Sequence, residues 1–470
     1  MKKVGVLLPI SSLPSKYGIG DFSLDAYKFV DFLVKSGIDY WQILPLVPID
    51  DTYSPYQSCS TFAGNPLFID LEQLVYEGLL EREEIDSYEW NNGNKIYYEQ
   101  VKYNKRALLL KAYDRFWLKC KYDMDIYVDF INFIEYNEEW ITTYVAFMYK
   151  KTNIDRCYFV FEQYLFNKQW NNLKTYANSM GIKIVGDLPI YVSADSSDVE
   201  YNKDLFKIED GKLSSVAGCP PDDFAKDGQK WGNPLYNWDK HKETNYEWWK
   251  ARIKRCFELY DVLRLDHFKG FDEYFSIPYE GIPNDGHWEK APGIEFFNAL
   301  KKEFGDLEII AEDLGVASAS LDRLLEDTGF PGMKVLQFAF NYDMNNFHLP
   351  NNYKTSNCVC YTGTHDNDTL RSFYDWELAN NPHKKGYVEH IIGKQTSREE
   401  FHWDMIEYAL QSKAETVIIP IQDILGFGHE SRINTPGTVG NNWVWRLKQG
   451  EINKYHEDRL RNLIEKYSNK

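Results

Sequence analysis

Short apolar runs alternate with stretches of helical periodicity along most of the chain. The first run, Val4–Leu8, predicts a strand, and a helix follows in which Ser23 is the expected N-cap and Gly37 the stop signal. The same rhythm returns after Gly181 and continues to Pro420. The predicted strands are Val4–Leu8, Asp39–Leu44, Ile182–Asp187, Asp261–Asp266, Glu308–Glu312, Lys334–Phe340, Cys358–Gly363 and Thr416–Pro420.

This alternation of strands and helices predicts an α/β fold, a parallel (β/α)8 TIM barrel with insertions. We expect one catalytic barrel over residues 1–470. Residues 70–155 have helical periodicity and no good strand, so they predict an inserted helical subdomain. Residues 188–238 are rich in Pro, Gly and Asn and predict a long active-site loop. Loops of this length in compact domains are usually functional. The alternative is an Ω-loop that packs on its own side chains.

Composition excludes some classes of partner. The net charge is −18, which argues against nucleic acid, because phosphate neutralisation needs an excess of Lys and Arg. No stretch approaches the roughly 18 apolar residues of a spanning helix, so no membrane partner is expected. The seven cysteines are scattered without ligand-like spacing and predict reduced thiols of a cytoplasmic protein.

Aromatic residues are unusually frequent, with 14 Trp, 34 Tyr and 28 Phe. Most belong to the core or to ordinary surface positions. The sharper interpretation is that some of the rings line a groove for an uncharged, hydroxylated ligand, since Tyr and Trp combine an apolar face with a polar edge.

Carboxylates stand at the ends of four predicted strands: Asp187, Asp266, Glu312 and Asp366. In a barrel of this type the chemistry lies at the carboxyl ends of the strands. One such residue could cap the next helix, but a carboxylate is costly to bury unless it is paired or used. Four of them converging on one end of the barrel indicate a functional cluster.

The neighbours of these carboxylates suggest different roles. Strand alternation places Arg264 and Asp266 on one face, where the guanidinium favours the ionised, nucleophilic form of Asp266. Like charge and partial burial should raise the pKa of Glu312 and make it the proton donor. Two carboxyl groups with separated pKa values suit glycoside cleavage, and Asp366 could hold sugar hydroxyls and support the transition state.

A metal site is the competing interpretation, because Asp and His mixtures also bind divalent ions. The sequence has no HxH or HExxH, and His267 and His365 each adjoin an Asp, so each pair supplies one inward group. Phosphate-binding motifs such as GxxxxGK[ST] and GxGxxG are also missing from the sequence.

Ten short segments together carry a resemblance to a known family. In chain order they are Gly18–Asp21, Ser54–Gln57, Ala63–Pro66, Gly186–Val192, Ala217–Pro234, Leu263–Phe268, Ala311–Gly315, Gly332–Phe338, Gly363–Asn367 and Arg432–Thr438. In this order and with barrel spacing they resemble the 4-α-glucanotransferases (amylomaltases or disproportionating enzymes) of glycoside hydrolase family 77.

The resemblance implies roles for individual residues. Asp266 matches the family nucleophile, Glu312 the general acid/base and Asp366 the transition-state stabiliser. The resemblance also places Arg264, His267 and His365 around the sugar at the cleaved bond, and Tyr56 and Trp231 match residues expected to line donor or acceptor subsites. Asp187, Phe224 and Ser54 complete the candidate substrate-binding set.

The expected activity is therefore retaining transfer of an α-1,4-glucan segment to the 4-OH of a second glucan or glucose, with no metal or organic cofactor. An α-1,4-glucan hydrolase built from the same carboxylates is one alternative, and a non-catalytic glucan-binding barrel is another. Because water competes with the acceptor, we expect the 217–237 loop, with Phe224 and Trp231, to shield the intermediate.

Overall fold

Eight parallel strands close into a barrel in which every strand pairs with its sequence neighbours. The structure, a computed structural model, describes residues 2–221, 227–316 and 318–468. The strands are β1 (Lys3–Leu7), β2 (Tyr40–Gln42), β3 (Lys183–Leu188), β4 (Val262–Leu265), β5 (Ile309–Ala311), β6 (Gly332–Val335), β7 (Cys358–Tyr361) and β8 (Thr416–Pro420). Pairing of β1 with β8 closes the ring, so the predicted (β/α)8 fold is confirmed.

Helices surround the barrel. Their bounds are Leu24–Lys35, Leu71–Tyr76, Arg82–Asp86, Tyr98–Cys120, Met124–Tyr136, Glu138–Thr152, Arg156–Ser179, Ser197–Tyr201, Trp238–Glu243, Glu247–Leu259, Ile294–Phe304, Ala319–Thr328, Leu370–Phe373, Pro382–Ile392, Phe401–Gln411, Ile421–Leu425 and Lys454–Ser468. In the described part of the chain, no helix combines the length and apolar character needed to cross a bilayer.

The strand predicted at Lys334–Phe340 is wrong in its bounds. β6 spans Gly332–Val335, and Leu336–Ala339 forms a 3₁₀ turn. The Val335 N–H donates to Nδ1 of His348 at 3.0 Å, and the chain bends there instead of continuing the ladder. A continuous apolar run does not reveal such a bend, because periodicity alone cannot separate a buried strand from a buried turn.

Part of the segment 188–238 is regular structure. Ser215–Cys219 and Gln229–Pro234 pair with each other, and Ser215–Cys219 also pairs with Glu273–Pro278, which pairs with His287–Lys290. Ile208–Glu209 and Lys212–Leu213 form a two-stranded hairpin. Its turn residues, Asp210 and Gly211, both have positive φ, as a type I′ turn requires.

The barrel interior beneath the carboxyl ends is filled. The hydroxyl of Tyr361 on β7 donates to Oε1 of Gln42 on β2 at 2.9 Å, and both side chains are buried. These strands are not neighbours in the barrel, so the hydrogen bond crosses its interior. The barrel is a packed core at this level, and the reactive groups lie above it.

Gly186 on β3 packs directly against the face of the Tyr260 ring, and a Cβ at this position would overlap that ring. We expect Gly186→Ala to lower the free energy of unfolding by about 1–3 kcal/mol through overpacking. Gly386→Ala is the matched control, because Gly386 is helical and exposed and a Cβ there meets nothing within 4 Å. That variant should be neutral or stabilised by up to about 1 kcal/mol. Urea denaturation measures both, and an unchanged midpoint for Gly186→Ala would contradict the packing argument.

Candidate active site

The carboxyl ends of β3, β4, β5 and β7 bring the four predicted carboxylates to one mouth of the barrel. Asp187 is the penultimate residue of β3, and Asp266 and Glu312 directly follow β4 and β5. Asp366 lies in the loop after β7. The position of each follows from where its strand ends.

Arg264 on β4 organises two of these carboxylates. Its Nη1 contacts both oxygens of Asp187, at 2.7 and 2.8 Å, and Oδ1 of Asp266 at 3.0 Å. The side chains of Arg264 and Asp187 are 4% and 0% exposed, whereas that of Asp266 is 29% exposed and open to the cleft. Burial opposes the charged guanidinium, but Asp187 and Asp266 outweigh it and raise the pKa of Arg264 well above its usual value.

Asp266 lies between opposing influences. Burial raises the pKa of its carboxyl, Arg264 lowers it and Asp187 raises it, with a net result of about 6. The guanidinium favours the ionised form, as the sequence predicts, but offsets burial only in part. The carboxyl is still mainly ionised at neutral pH.

Glu312 is held by backbone donors. Its Oε2 accepts the N–H of His267 at 2.7 Å, and its Oε1 accepts the N–H of Leu314 at 2.8 Å. Burial raises the pKa of Glu312, Arg264 and the two N–H groups lower it, and Asp266 raises it, to about 8 overall. Glu312 is thus mainly protonated at neutral pH, as its surroundings predicted.

His267 joins the two reactive positions. It has φ +50°, a left-handed conformation that is uncommon for a residue with a Cβ, and this turn directs its N–H toward Glu312. Burial lowers the pKa of its imidazole to about 4, so the ring is neutral. Its Nε2 is buried and has no hydrogen-bond partner among the described residues.

Asp366 is oriented by its neighbour His365 and by two residues of a distant segment, Arg432 and Asn434. Asn434 Nδ2 donates to its Oδ1 at 2.6 Å, and His365 Nε2 lies 3.4 Å from its Oδ2. Arg432 donates to the carbonyl oxygens of Asp366 and Asn434, at 2.8 and 2.7 Å. The Asp366 side chain is 44% exposed, which leaves it accessible from the cleft.

Tyr56 lies against this cluster. Its hydroxyl donates to Oδ2 of Asp187 at 2.7 Å, and its ring stacks on that of His365 with centroids 5.2 Å apart. Trp443 lies 5.7 Å from the Tyr56 ring and 6.0 Å from the His365 ring. Ser54 accepts the N–H of Tyr56 at 3.2 Å and so shapes the turn that presents Tyr56.

Trp231 approaches from the antiparallel sheet. Its ring is 5.1 Å from that of His267 in an edge-on arrangement and 6.2 Å from that of Tyr191. The structure thus brings Trp231 to the mouth of the barrel. Phe224 lies outside the described residues.

Sequence reasoning assigned no role to Asn434, Arg432, Trp443 or Tyr191. Tyr191, Arg432 and Asn434 lie in segments that carry the family resemblance, Gly186–Val192 and Arg432–Thr438, whereas Trp443 lies outside them. Trp443 is marked only in the structure, where its φ of +64° is an uncommon value for an aromatic residue.

Comparison with known proteins identifies the same family as the motifs. Residues 8–157 and 149–452 match the family model described as 4-alpha-glucanotransferase. The 4-alpha-glucanotransferase of Clostridium butyricum is 44% identical, with 93% of this chain and 95% of that protein covered. The enzyme of that name from Streptococcus pneumoniae serotype 4 is 39% identical, with 99% and 97% covered.

A solved structure gives the same result. The amylomaltase from Streptococcus agalactiae, solved in complex with acarbose, superposes with a TM-score of 0.94 at 37% identity. The alignment covers 100% of this chain and 99% of that one. The resemblance inferred from the motifs is confirmed: with its eight-stranded barrel, its carboxylate cluster and relatives matched over nearly their whole length, the chain belongs to the 4-α-glucanotransferase family, glycoside hydrolase family 77.

Proposed function

We propose that this chain transfers α-1,4-glucan segments by a retaining mechanism in which Asp266 is the nucleophile and Glu312 the acid and base. Burial raises the pKa of Asp266 to about 6 and that of Glu312 to about 8, which suits a nucleophile and a proton donor. The observation that carries the proposal is that Arg264, 3.0 Å from Asp266, and two backbone N–H groups on Glu312 hold these two carboxyl groups at one mouth of the barrel. They follow in-register positions, Leu265 and Ala311, on adjacent strands. Retaining enzymes need their two carboxyl groups roughly 5–5.5 Å apart, and residues that directly follow paired positions on neighbouring strands start from adjacent backbone positions.

In the first step an Asp266 oxygen attacks the anomeric carbon of a glucose unit. The glycosidic C–O bond breaks, and Glu312 gives its proton to the departing 4-oxygen. Arg264 limits the protonation of Asp266 before attack, and Asp187 fixes the guanidinium. Asp366, held by Asn434, is placed to bind sugar hydroxyls as positive charge develops on the ring.

In the second step Glu312 acts as a base. It removes the proton from the 4-OH of an acceptor glucan, that oxygen attacks the anomeric carbon, and the ester bond to Asp266 breaks. One α-1,4 bond is exchanged for another, and the enzyme is restored without an added cofactor.

Two imidazoles support a hydroxylated substrate. Nε2 of His267 and Nδ1 of His365 are buried and lack hydrogen-bond partners among the described residues. Buried polar atoms are normally paired, so unpaired ring nitrogens beside reactive carboxylates fit sugar hydroxyl groups. A neutral glucan also suits a chain of net charge −18.

We further propose a reducing, cytoplasmic location. No disulfide joins any two of the cysteines in the described part of the chain. Burial raises the pKa of Cys256 and of Cys358, each to about 11, so these thiols are protonated and unreactive.

Glu312→Gln should remove proton donation and lower transfer by at least about a hundredfold. The assay is incubation with maltotriose, in which the wild type should form a ladder of longer products; shorter products alone would indicate the hydrolase. Glu308→Gln is the matched control, because Glu308 directly precedes β5, at the opposite end from Glu312, and pairs with Lys183. It should retain wild-type activity. A full ladder from Glu312→Gln would refute the assignment.

The pH profile of kcat/KM should be bell-shaped, with limbs near pH 6 and pH 8. Below the acid limb Asp266 becomes protonated and cannot attack, and above the basic limb Glu312 loses the proton that the leaving oxygen needs. The two groups interact, so the limbs belong to the pair. Initial rates at low substrate concentration measure the profile, and activity that keeps rising above pH 9 would contradict the role of Glu312.

Trp231→Ala should raise the ratio of hydrolysis to transfer by several-fold, because it opens the wall beside His267 to water. Free reducing ends report hydrolysis, and the maltotriose ladder reports transfer. Trp288→Ala is the control, since Trp288 lies in the same antiparallel sheet but packs on Phe275. Equal loss of both activities in Trp231→Ala would exclude shielding as its role.

A further inference from the structure

Trp376 presents its ring to solvent outside the site described above. The residue is 62% exposed, an unusual position for the largest apolar side chain. It lies in a π-helical turn, Tyr374–Leu378, which directly continues Leu370–Phe373, the first helix after β7. Single π-helical turns frequently occur at functional positions.

This turn is fixed from both sides. Arg398 Nη2 contacts Oδ2 of Asp375 at 2.6 Å, and Lys384 Nζ contacts Glu377 at 2.5 Å, so both sequence neighbours of Trp376 are ion-paired. Leu378 at the end of the turn is fully buried. The backbone that carries the exposed ring is therefore anchored on both sides of Trp376.

A second ring extends the surface. The imidazole of His429 lies 4.7 Å from the Trp376 ring at an angle of 47°, and its side chain is 55% exposed. Its Nδ1 lies 2.6 Å from Oδ2 of Asp368, which fixes the imidazole beside the indole. The two rings together form a shallow aromatic platform, named here the Trp376–His429 platform.

The platform is connected to the catalytic loop. Asp368 follows Asp366 by two residues, and Arg432 contacts Oδ2 of Asp368 at 3.5 Å while donating to the carbonyl of Asp366 at 2.8 Å. Asp366 and Asp368 are two residues apart, His429 Nδ1 lies 2.6 Å from Asp368, and the two rings are 4.7 Å apart. The Trp376 ring therefore lies within about 20 Å of the Asp366 Cα. A bound glucan of a few units would span that distance.

We propose that the Trp376–His429 platform is a remote stacking subsite for a glucan chain whose reacting bond lies at Asp266 and Glu312. This inference rests on the proposed function and adds a preference for long substrates. An indole face suits the apolar face of a pyranose ring, and the polar groups around it suit the hydroxyl edge.

The charges around the platform favour an uncharged ligand. Asp375, Glu377 and Asp368 are each paired with a basic or imidazole side chain of this protein. Because these three carboxylates are already paired, the platform offers little unpaired negative charge to a cationic partner. A second copy of the chain is the competing occupant, and it is an outcome of the test.

The test compares Trp376→Ala, Trp376→Tyr and Tyr122→Ala on long linear amylose and on maltotriose. Tyr122 is a matched control because it is 86% exposed and lies two residues after the helix Tyr98–Cys120, in the helical part of the chain. For Trp376→Ala we expect KM for amylose to rise about three- to tenfold, with kcat and all maltotriose constants unchanged. Trp376→Tyr should restore most of the amylose KM.

Binding is measured separately in the Glu312→Gln background by gel electrophoresis through immobilised amylose. Trp376→Ala should reduce retardation, and Tyr122→Ala should not. Unchanged amylose KM and retardation would overturn the subsite, and so would an equal rise in KM for both substrates.

Sedimentation of each variant identifies the competing occupant. If Trp376→Ala dissociates an oligomer, and the KM for amylose changes only because that oligomer is lost, the platform is a contact between copies. That outcome overturns the subsite. Failure of the proposed function has a different signature, which is a wild type that forms no ladder from maltotriose.

Discussion

The guanidinium of Arg264 carries the positive charge that lets several carboxylates share one barrel mouth. It binds both oxygens of the fully buried Asp187 and still reaches Asp266. A buried ion pair is expensive to desolvate, and loss of one partner typically costs about 3–5 kcal/mol because the other charge is left unpaired. The site depends on this contact, because without it Asp187 and Asp266 would repel one another and Asp266 would resist ionisation.

Around this ion pair the site is built from distant parts of the chain. Tyr56, from the loop after β2, donates to Asp187 and stacks on His365, while Trp443 packs on both rings. Asn434 fixes Asp366 across 68 positions of sequence. These contacts link the side of the cleft that carries Asp187 and Arg264 to the side that carries Asp366, so the aromatic cluster aligns the carboxylates of both sides.

The sequence predicted the parts of the molecule that local rules determine. Strands end where their apolar runs end, so the positions of Asp187, Asp266 and Glu312 could be inferred, and with them the chemistry. The antiparallel sheet was not predicted, because Gln229–Pro234 contains Gly and Pro and Ser215–Cys219 contains Gly, and because Ser215–Cys219 pairs with Glu273–Pro278 some sixty residues away. The holding roles of Asn434 and Trp443 arise only from tertiary contacts, for which a single sequence has no signal.

The two backbone N–H groups on Glu312 have a consequence for the order of events. Before reaction, burial and the charge on Asp266 work against these donors and keep the proton on Glu312. In the proposed mechanism, esterification of Asp266 removes that charge, while Arg264 and both N–H groups continue to favour a carboxylate on Glu312. Formation of the intermediate thus lowers the proton affinity of the same side chain at the moment a base is needed. The proposed first step thereby prepares Glu312 for its role as base in the second.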